Sequence, residues 1–285
     1  MPSETPRSPV SVVTGATGGI GRWIALGLAR AGHAVVVVGR DRSRGNDALA
    51  WIGARAPSAP LELVIADLSS LAATRQAGRQ IEARHPAIDV LVNNAGVFCA
   101  RREETAERHE RVIAVNHLAP FVLTRTLLPA LRAAALDGPA RVVNIGSSTS
   151  DRARIDPADL EGKRRWGMVR SYSQSKLALM MATFGWARRL EGTGVVANVV
   201  HPGAVATGLV RAPGVIGLAW RGMAPFLLTE EQGADTPLHV ALSPVFATTT
   251  GVYVKQRKAV RPNSRALDVA LVERVWAATE ALAGP

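Results

Sequence analysis

The chain has 285 residues, 47% of them hydrophobic, a single cysteine and a formal net charge of +11. Cys99 alone excludes an internal disulfide and suits a reducing compartment, the opening residues Met1 to Arg7 hold no apolar targeting core, and no run of about 18 apolar residues occurs, so a soluble, cytoplasmic protein without a membrane partner is expected. The charge comes almost wholly from arginines dispersed among alanine-rich segments, with lysine only at Lys163, Lys176, Lys255 and Lys258, which reads as a solvated surface and predicts no nucleic-acid partner.

Val10, Val12 and Val13 lead into Thr14-Gly15-Ala16-Thr17-Gly18-Gly19-Ile20-Gly21. Arg22 to Ala31 then turns helical, with Ile24, Leu26 and Leu28 among its apolar positions and Gly32 at C′. A strand, a glycine turn and a helix N-terminus make an anion site, because glycine permits positive φ and close backbone approach while the helix's free N–H groups and dipole face a phosphate. A dinucleotide pyrophosphate fits there. The spacing is G-x-x-x-G-x-G instead of G-x-G-x-x-G, and such turns also serve as plain architecture, so the rest of the chain must decide.

Val35 to Val38 is an uninterrupted β-branched run, as in a parallel strand buried on both faces. Asp41 caps a polar helix to about Ala56, Leu61 to Ile65 is a strand ending at Asp67, Ser69 to Arg84 is helical, and Ile88 to Val92 is the next strand. A long helical region is predicted over Glu104 to Ala135, strands over Arg141 to Ile145 and Val195 to Val200, and a helix between them over Ser171 to Leu190. The alternation implies βαβ units with right-handed crossovers, hence a doubly wound (Rossmann-type), mostly parallel α/β sheet with helices on both faces, in one domain over 1–285. Two segments break the rhythm, Thr149 to Arg170 and the apolar, glycine-spaced Ala204 to Leu228. Both leave carboxyl ends of strands, where open α/β sheets bind ligands, and the second is expected to be a lid over the substrate.

Tyr172 and Lys176 lie four apart on one face of a predicted helix. With two tyrosines and four lysines in the chain, a chance Y-x-x-x-K has an expectation of about 0.03, so an ordinary surface pair is a weak explanation. Bringing a phenol from pH ~10 to ~7 takes roughly 4 kcal/mol, which one ammonium about 4 Å away supplies at an effective dielectric near 20. The pair is expected to act as acid and base at neutral pH.

Thr14-Gly15-x-x-x-Gly19-x-Gly21, Asn93-Asn94-Ala95-Gly96, Asn116, Ser147, Tyr172-x-x-x-Lys176 and Pro202-Gly203 resemble, in order and spacing, the short-chain dehydrogenase/reductase family over nearly the whole chain. Val115 to Phe121, the long segment before Tyr172 and Thr229 to Ala234 are similar to its retinol-dehydrogenase-like branch, without the membrane anchor of several animal members. The resemblance implies that Tyr172 donates a proton to a carbonyl oxygen, that Lys176 lowers its pKa and holds the nicotinamide ribose, that Ser147 bonds the substrate oxygen, and that Asn116 fixes a water in the proton relay. It implies a cofactor cradle of Gly15, Thr17, Gly18, Gly19, Ile20 and Gly21, with Asn94, Ala95 and Gly96 walling the adenine side, Asp67 and Leu68 against the adenine, and Pro202, Gly203 and Thr207 bordering the nicotinamide. It also allows pairing of two copies through the helices at 104–135 and 171–190, for which Met180, Met181, Phe184 and Trp186 are apolar enough, although sheet packing explains them equally well.

Arg40 falls at the end of the second strand, where an acidic residue would bind the ribose 2′-hydroxyl of NAD and an arginine accepts the 2′-phosphate of NADP. Arg22 offers a second charge, Asp41 is better explained as a helix cap, and NADP is the expected cofactor. The six histidines lack metal-ligand spacing and Cys99 reads as a buried thiol or pocket wall, so no metal is expected. The reading is an NADPH-dependent oxidoreductase acting on a bulky, mainly hydrophobic ketone, aldehyde or secondary alcohol. Its rival is a cofactor-sensing or nucleic-acid-associated protein without turnover, which would have no need of the set Asn116, Ser147, Tyr172 and Lys176.

Overall fold

Residues 7–205 and 227–285 are described by a computed structural model of the chain. The strands are β1 (Val10–Thr14), β2 (Ala34–Gly39), β3 (Leu61–Ile65), β4 (Val90–Asn93), β5 (Ala140–Ile145), β6 (Val195–His201), β7 (Tyr253–Lys255) and β8 (Lys258–Val260). They form one sheet in the order β3-β2-β1-β4-β5-β6-β7-β8, parallel throughout except for the β7–β8 pair. Consecutive crossovers run outwards from β1 in one direction and from β4 in the other, so the switch in strand order lies between β1 and β4. That is where such sheets open a crevice for a ligand.

The helices are α1 (Gly19–Arg30), α2 (Arg42–Gly53), α3 (Leu71–Arg84), α4 (Arg111–Ile113), α5 (Ala119–Thr126), α6 (Leu128–Ala134), α7 (Met168–Arg189), α8 (Glu230–Leu242), α9 (Ser264–Leu267) and α10 (Val269–Ala283), with a π-helical turn at Ala114–Leu118 joining α4 to α5. Alternation along the strands sends Val12, Val36, Leu91 and Val142 to a core with α3, α5 and α6, while Val13, Val37, Val92 and Val143 meet Ile24 and Leu28 of α1 and Val240 of α8 on the other face.

The sequence reading differs from the structure in two places, and a third settles between alternatives it left open. The helical region expected from Glu104 begins only at Arg111, because Glu104 and Glu110 form an antiparallel bridge, Arg108 turns at φ +65°, and the Glu110 carboxylate caps Ile113 N at 2.8 Å. Strands β7 and β8 carry no alternating pattern to read, and their turn, Gln256-Arg257, takes positive φ at both residues (47° and 63°) without the glycine or asparagine that announces such a hairpin. Finally, Met180, Met181, Phe184 and Trp186 are buried within the chain itself, against Val272, Val275 and Trp276 of α10. Of the two explanations the sequence allowed for these four side chains, packing inside the chain accounts for them.

Thr207 and most of the expected lid, 206–226, lie outside the described residues. Val205 and Leu228, which flank that stretch, form a parallel bridge, and Leu228 N donates to Ala204 O at 2.8 Å. Among the described residues no single helix is long and apolar enough to cross a membrane, although the bent pair formed by 111–126 and Leu128–Ala134 reaches that length and composition together.

Candidate active site

The glycine turn lies at the switch point. Gly15 and Gly19 take φ +66° and +60°, and a Cβ on Gly15 would stand 2.9 Å from Ala95 Cα, while one on Gly21 would meet Asn94 Nδ2 at 2.4 Å. Only glycine lets the two segments approach so closely. Asn94 N and Ala95 N both donate to Thr14 Oγ1 at 3.0 Å, and Asn94 Nδ2 donates to Thr14 O at 2.9 Å, so the segment after β4 is stitched to the turn after β1.

Whether this turn suits a dinucleotide is tested by its helix. The α2 N-terminus is capped by Asp41 through Arg44 N at 3.0 Å, and that of α3 by Ser70 and by Glu107, which accepts from Leu71 N and Ala72 N. The α1 N-terminus has Gly18 as its cap, no side-chain acceptor and no acidic residue in its first turn. A helix start built without a side-chain acceptor beside a glycine turn fits a pyrophosphate. One carboxylate approaches it, Glu230 Oε1, 3.9 Å from where a Gly19 Cβ would stand.

At the carboxyl end of β2, Arg40 is exposed and its charge helps hold the Asp67 carboxyl below its ordinary range. Burial alone would raise that carboxyl, but the Ser69 N–H and hydroxyl, Arg40 and Arg111 outweigh it. Leu68 is buried in the core at 8% exposure, so its side chain packs on the sheet and leaves mainly backbone for an adenine. The expected second charge, Arg22, lies with its guanidinium 4.3 Å from the Trp51 ring centroid, between α1 and α2. Arg44 also reaches the glycine turn, with Nη2 3.4 Å from where a Gly18 Cβ would be. The signal for it was available: Arg40 and Arg44 flank Asp41, whose cap on Arg44 N fixes the first turn of α2 over the glycines.

Tyr172 and Lys176 project from α7 towards the ends of β4 and β5. Tyr172 is 8% exposed and Lys176 4%, and the lysine Nζ donates to Ile145 O at 2.7 Å. Nζ lies 6.0 Å from the Tyr172 ring centroid and 3.6 Å from where a Gly96 Cβ would be, so Gly96 leaves the room the ammonium occupies. Burial pushes the lysine down to about 8. Burial likewise raises the Tyr172 phenol, and a hydrogen bond with Ser147 works against it. In the chain by itself burial therefore sets the direction of the Tyr172 shift.

Ser147 follows β5, half-buried beside Tyr172, while Ser148 is exposed at the start of a 3-10 turn. Asn116 lies fully buried in the π-helical turn: Oδ1 accepts from Val97 N at 2.7 Å, and Nδ2 donates to Val97 O at 3.0 Å and to Ser175 Oγ at 3.1 Å. Both of its side-chain protons are committed within the protein. The Ser175 hydroxyl, 0% exposed, passes the connection on to Tyr172 O at 2.8 Å, a link that sequence reasoning missed. Asn93 binds Asn144 Oδ1 at 2.8 Å, and Asn144 in turn donates to Thr183 Oγ1 at 2.8 Å, tying β4 and β5 to α7 below the site. Phe98 sets its ring edge to Tyr172 with centroids 5.1 Å apart, and burial raises the neighbouring Cys99 thiol. Pro202 and Gly203 follow β6, with Gly203 at φ +95° closed over by Leu228. Among the described residues no three His, Cys, Asp or Glu side chains are placed to hold a metal ion.

A profile described as short chain dehydrogenase matches residues 9–213. The chain belongs to the short-chain dehydrogenase/reductase family. Within it the chain sits in the retinol-dehydrogenase-like branch: it is 39% identical over 283 residues to polyprenol dehydrogenase of Mus musculus, covering 97% of this chain and 84% of that protein. It is 36% identical over 267 residues to human retinol dehydrogenase 12, covering 94% of this chain and 84% of that protein. Among solved structures, the RhlG/NADP active-site complex of Pseudomonas aeruginosa superposes with a TM-score of 0.71 at 28% identity, over 87% of this chain and 94% of that one. As a short-chain dehydrogenase/reductase, the protein is an oxidoreductase that binds a nicotinamide cofactor. The glycine turn after β1 and the cluster after β4 and β5 both lie at the carboxyl ends of the parallel strands.

Proposed function

We propose that the protein is an NADPH-dependent reductase, reversible in principle, for a bulky, mainly hydrophobic ketone or aldehyde and the corresponding alcohol. The observation that carries this reading is the meeting of Tyr172 and Ser147 beside a buried Lys176, with Arg40 and Arg44 at the far end of the same crevice. When bound, the nicotinamide supplies hydride to the carbonyl carbon. The chain itself then handles the oxygen. Two hydroxyl donors side by side, Tyr172 and Ser147, can bond one oxygen as negative charge grows on it, and the phenol gives up its proton there. A raised phenol pKa keeps that proton in place at neutral pH, which suits the reducing direction. Lys176 spends one N–H on Ile145 O and keeps two of its three for a ribose, with Gly96 leaving the space.

The substrate class rests on Phe98 against Tyr172, on the apolar residues between 204 and 228, and on relatives named for polyprenol and retinol, both apolar alcohols. A panel of ketones and aldehydes, graded in size and polarity and assayed for NADPH and for NADH consumption, tests it. Turnover confined to small polar carbonyls would reject the substrate class, and salt-dependent retention on DNA with no turnover at all would favour a non-catalytic role.

The cofactor preference has its own test. Arg40→Asp is expected to lower kcat/KM for NADPH by about 10- to 100-fold, the scale of a lost charge-assisted hydrogen bond, while NADH suffers little or improves. Steady-state rates with both cofactors give the ratio directly, and an unchanged ratio removes Arg40 from the site.

A further inference from the structure

Asn116 owes its aim to the π-helical turn Ala114–Leu118, in which Ala119 N bonds back to Ala114 O. One extra residue is accommodated there between α4 and α5. If the bulge relaxed into regular α-helix, the residues on one side of it would turn by about 100° relative to the other, and Asn116 would no longer face Val97 and Ser175. Such a turn needs an outside hold.

The next residue provides it. His117 is fully buried, and its Nε2 lies 2.7 Å from Thr279 Oγ1 on α10. Thr279 Oγ1 spends its own proton on Val275 O at 2.7 Å, so the imidazole nitrogen is the donor and Thr279 the acceptor. Burial pushes His117 down to about 3, which leaves the ring neutral, and Nδ1 has no partner, so this bond is the polar anchor of the side chain. The same helix grips α5 just beyond, where Trp276 packs edge-on against Phe121 with centroids 4.8 Å apart.

We infer that His117 is a positioning residue: through its bond to Thr279 it pins the π-helical turn to α10 and so keeps Asn116 locked on Val97 and Ser175. The C-terminal helix, which lies outside the stretch matched by the family profile, thereby becomes part of the machinery that orients the Tyr172 turn. The catalytic consequence rests on the proposed reductase function, whereas the structural one does not.

The test uses the full chain with Thr279→Val and Thr279→Ser. Losing the hydroxyl is expected to lower kcat by about tenfold while KM for NADPH stays within about twofold, and the serine variant, which keeps the hydroxyl, is expected to restore kcat. The readout independent of turnover is the Val97 amide, held by Asn116 Oδ1 at 2.7 Å, whose hydrogen exchange should quicken by about tenfold in Thr279→Val and not in Thr279→Ser. Should Thr279→Val fail to fold, the double variant His117→Leu with Thr279→Val removes both polar ends together, leaves no unpaired donor, and is expected to show the same faster exchange. Unchanged Val97 exchange in a folded variant overturns the inference even if no carbonyl substrate has been found. Faster exchange with unchanged kcat overturns the link to catalysis. Absence of any turnover in the unmodified protein speaks against the reductase reading and leaves the exchange result to decide this one.

Discussion

Lys176→Met is expected to stop turnover and, at the same time, to make the protein more stable. Lys176 is an ammonium buried to 4% exposure, and burial brings its pKa from 10.5 down to about 8. That depression corresponds to roughly 3 kcal/mol of cost to the folded state at neutral pH, where the group is still charged in both states. Methionine matches its length without the charge, but it leaves Ile145 O without its partner, which returns about 1 kcal/mol. The net gain is on the order of 2 kcal/mol, or a rise in Tm of several degrees for a chain of this size. The pH dependence carries a sign. Between about 8 and 10.5 the unfolded chain holds a proton on this lysine that the folded chain has released. The stability of the unmodified protein therefore receives an increment that grows as pH rises through that window, and Lys176→Met should lack it. Activity moves the other way, with kcat falling by about 10² to 10⁴, the usual worth of a proton-transfer system. Thermal melts across pH 7 to 11, with rates on one accepted ketone, check both halves; a variant less stable than the unmodified protein at pH 7 would show that the ammonium is not under strain.

Ser147→Ala is expected to cost about 10² to 10³ in kcat, the loss of one donor to an oxygen on which negative charge develops. Ser148→Ala should keep most of its activity. The two serines are neighbours in sequence, but Ser147 is half-buried within reach of Tyr172, its Oγ accepting from Thr149 N at 3.3 Å, whereas Ser148 is exposed and opens the 3-10 turn Ser148–Ser150. NADPH should still bind to Ser147→Ala, because Ser147 has no part in the glycine turn or the Arg40 and Arg44 end. A second change follows from the same contact. The Ser147 hydrogen bond works against the upward pull of burial on Tyr172, so its loss should raise the phenol further and move the alkaline limb of the rate profile to higher pH. Kinetics of both variants against pH settle it; a dead Ser148→Ala enzyme would shift the assignment by one residue.

Much of this was legible in the chain. The β-branched run at Val35–Val38, the valine-rich strand at Val195–Val200, the glycine turn after Thr14 and the spacing of Tyr172 to Lys176 are local patterns, and local patterns follow from periods of two and 3.6 residues that a sequence displays directly. Strand alternation then leaves few topologies, which is why the sheet and the crevice between β1 and β4 follow from the order of elements. The net direction of the Tyr172 pKa shift was not legible. It depends on how deeply the phenol is buried and on its contact with Ser147, and both are set by residues distant in the chain. The short β7–β8 hairpin escaped notice because its turn residues lack the usual chemistry and its strands exist through pairing with β6.

The sequence by itself determined the doubly wound sheet, the anion-binding turn and the set of polar side chains at one edge of the sheet, because each is written in neighbouring residues. Only the tertiary structure decided that Arg44 reaches Gly18 while Arg22 lies against Trp51, that α10 covers the apolar face of α7, and that the turn holding Asn116 is tied to Thr279. Those outcomes depend on side chains brought together across as many as 162 residues of chain, and no local period records such a meeting.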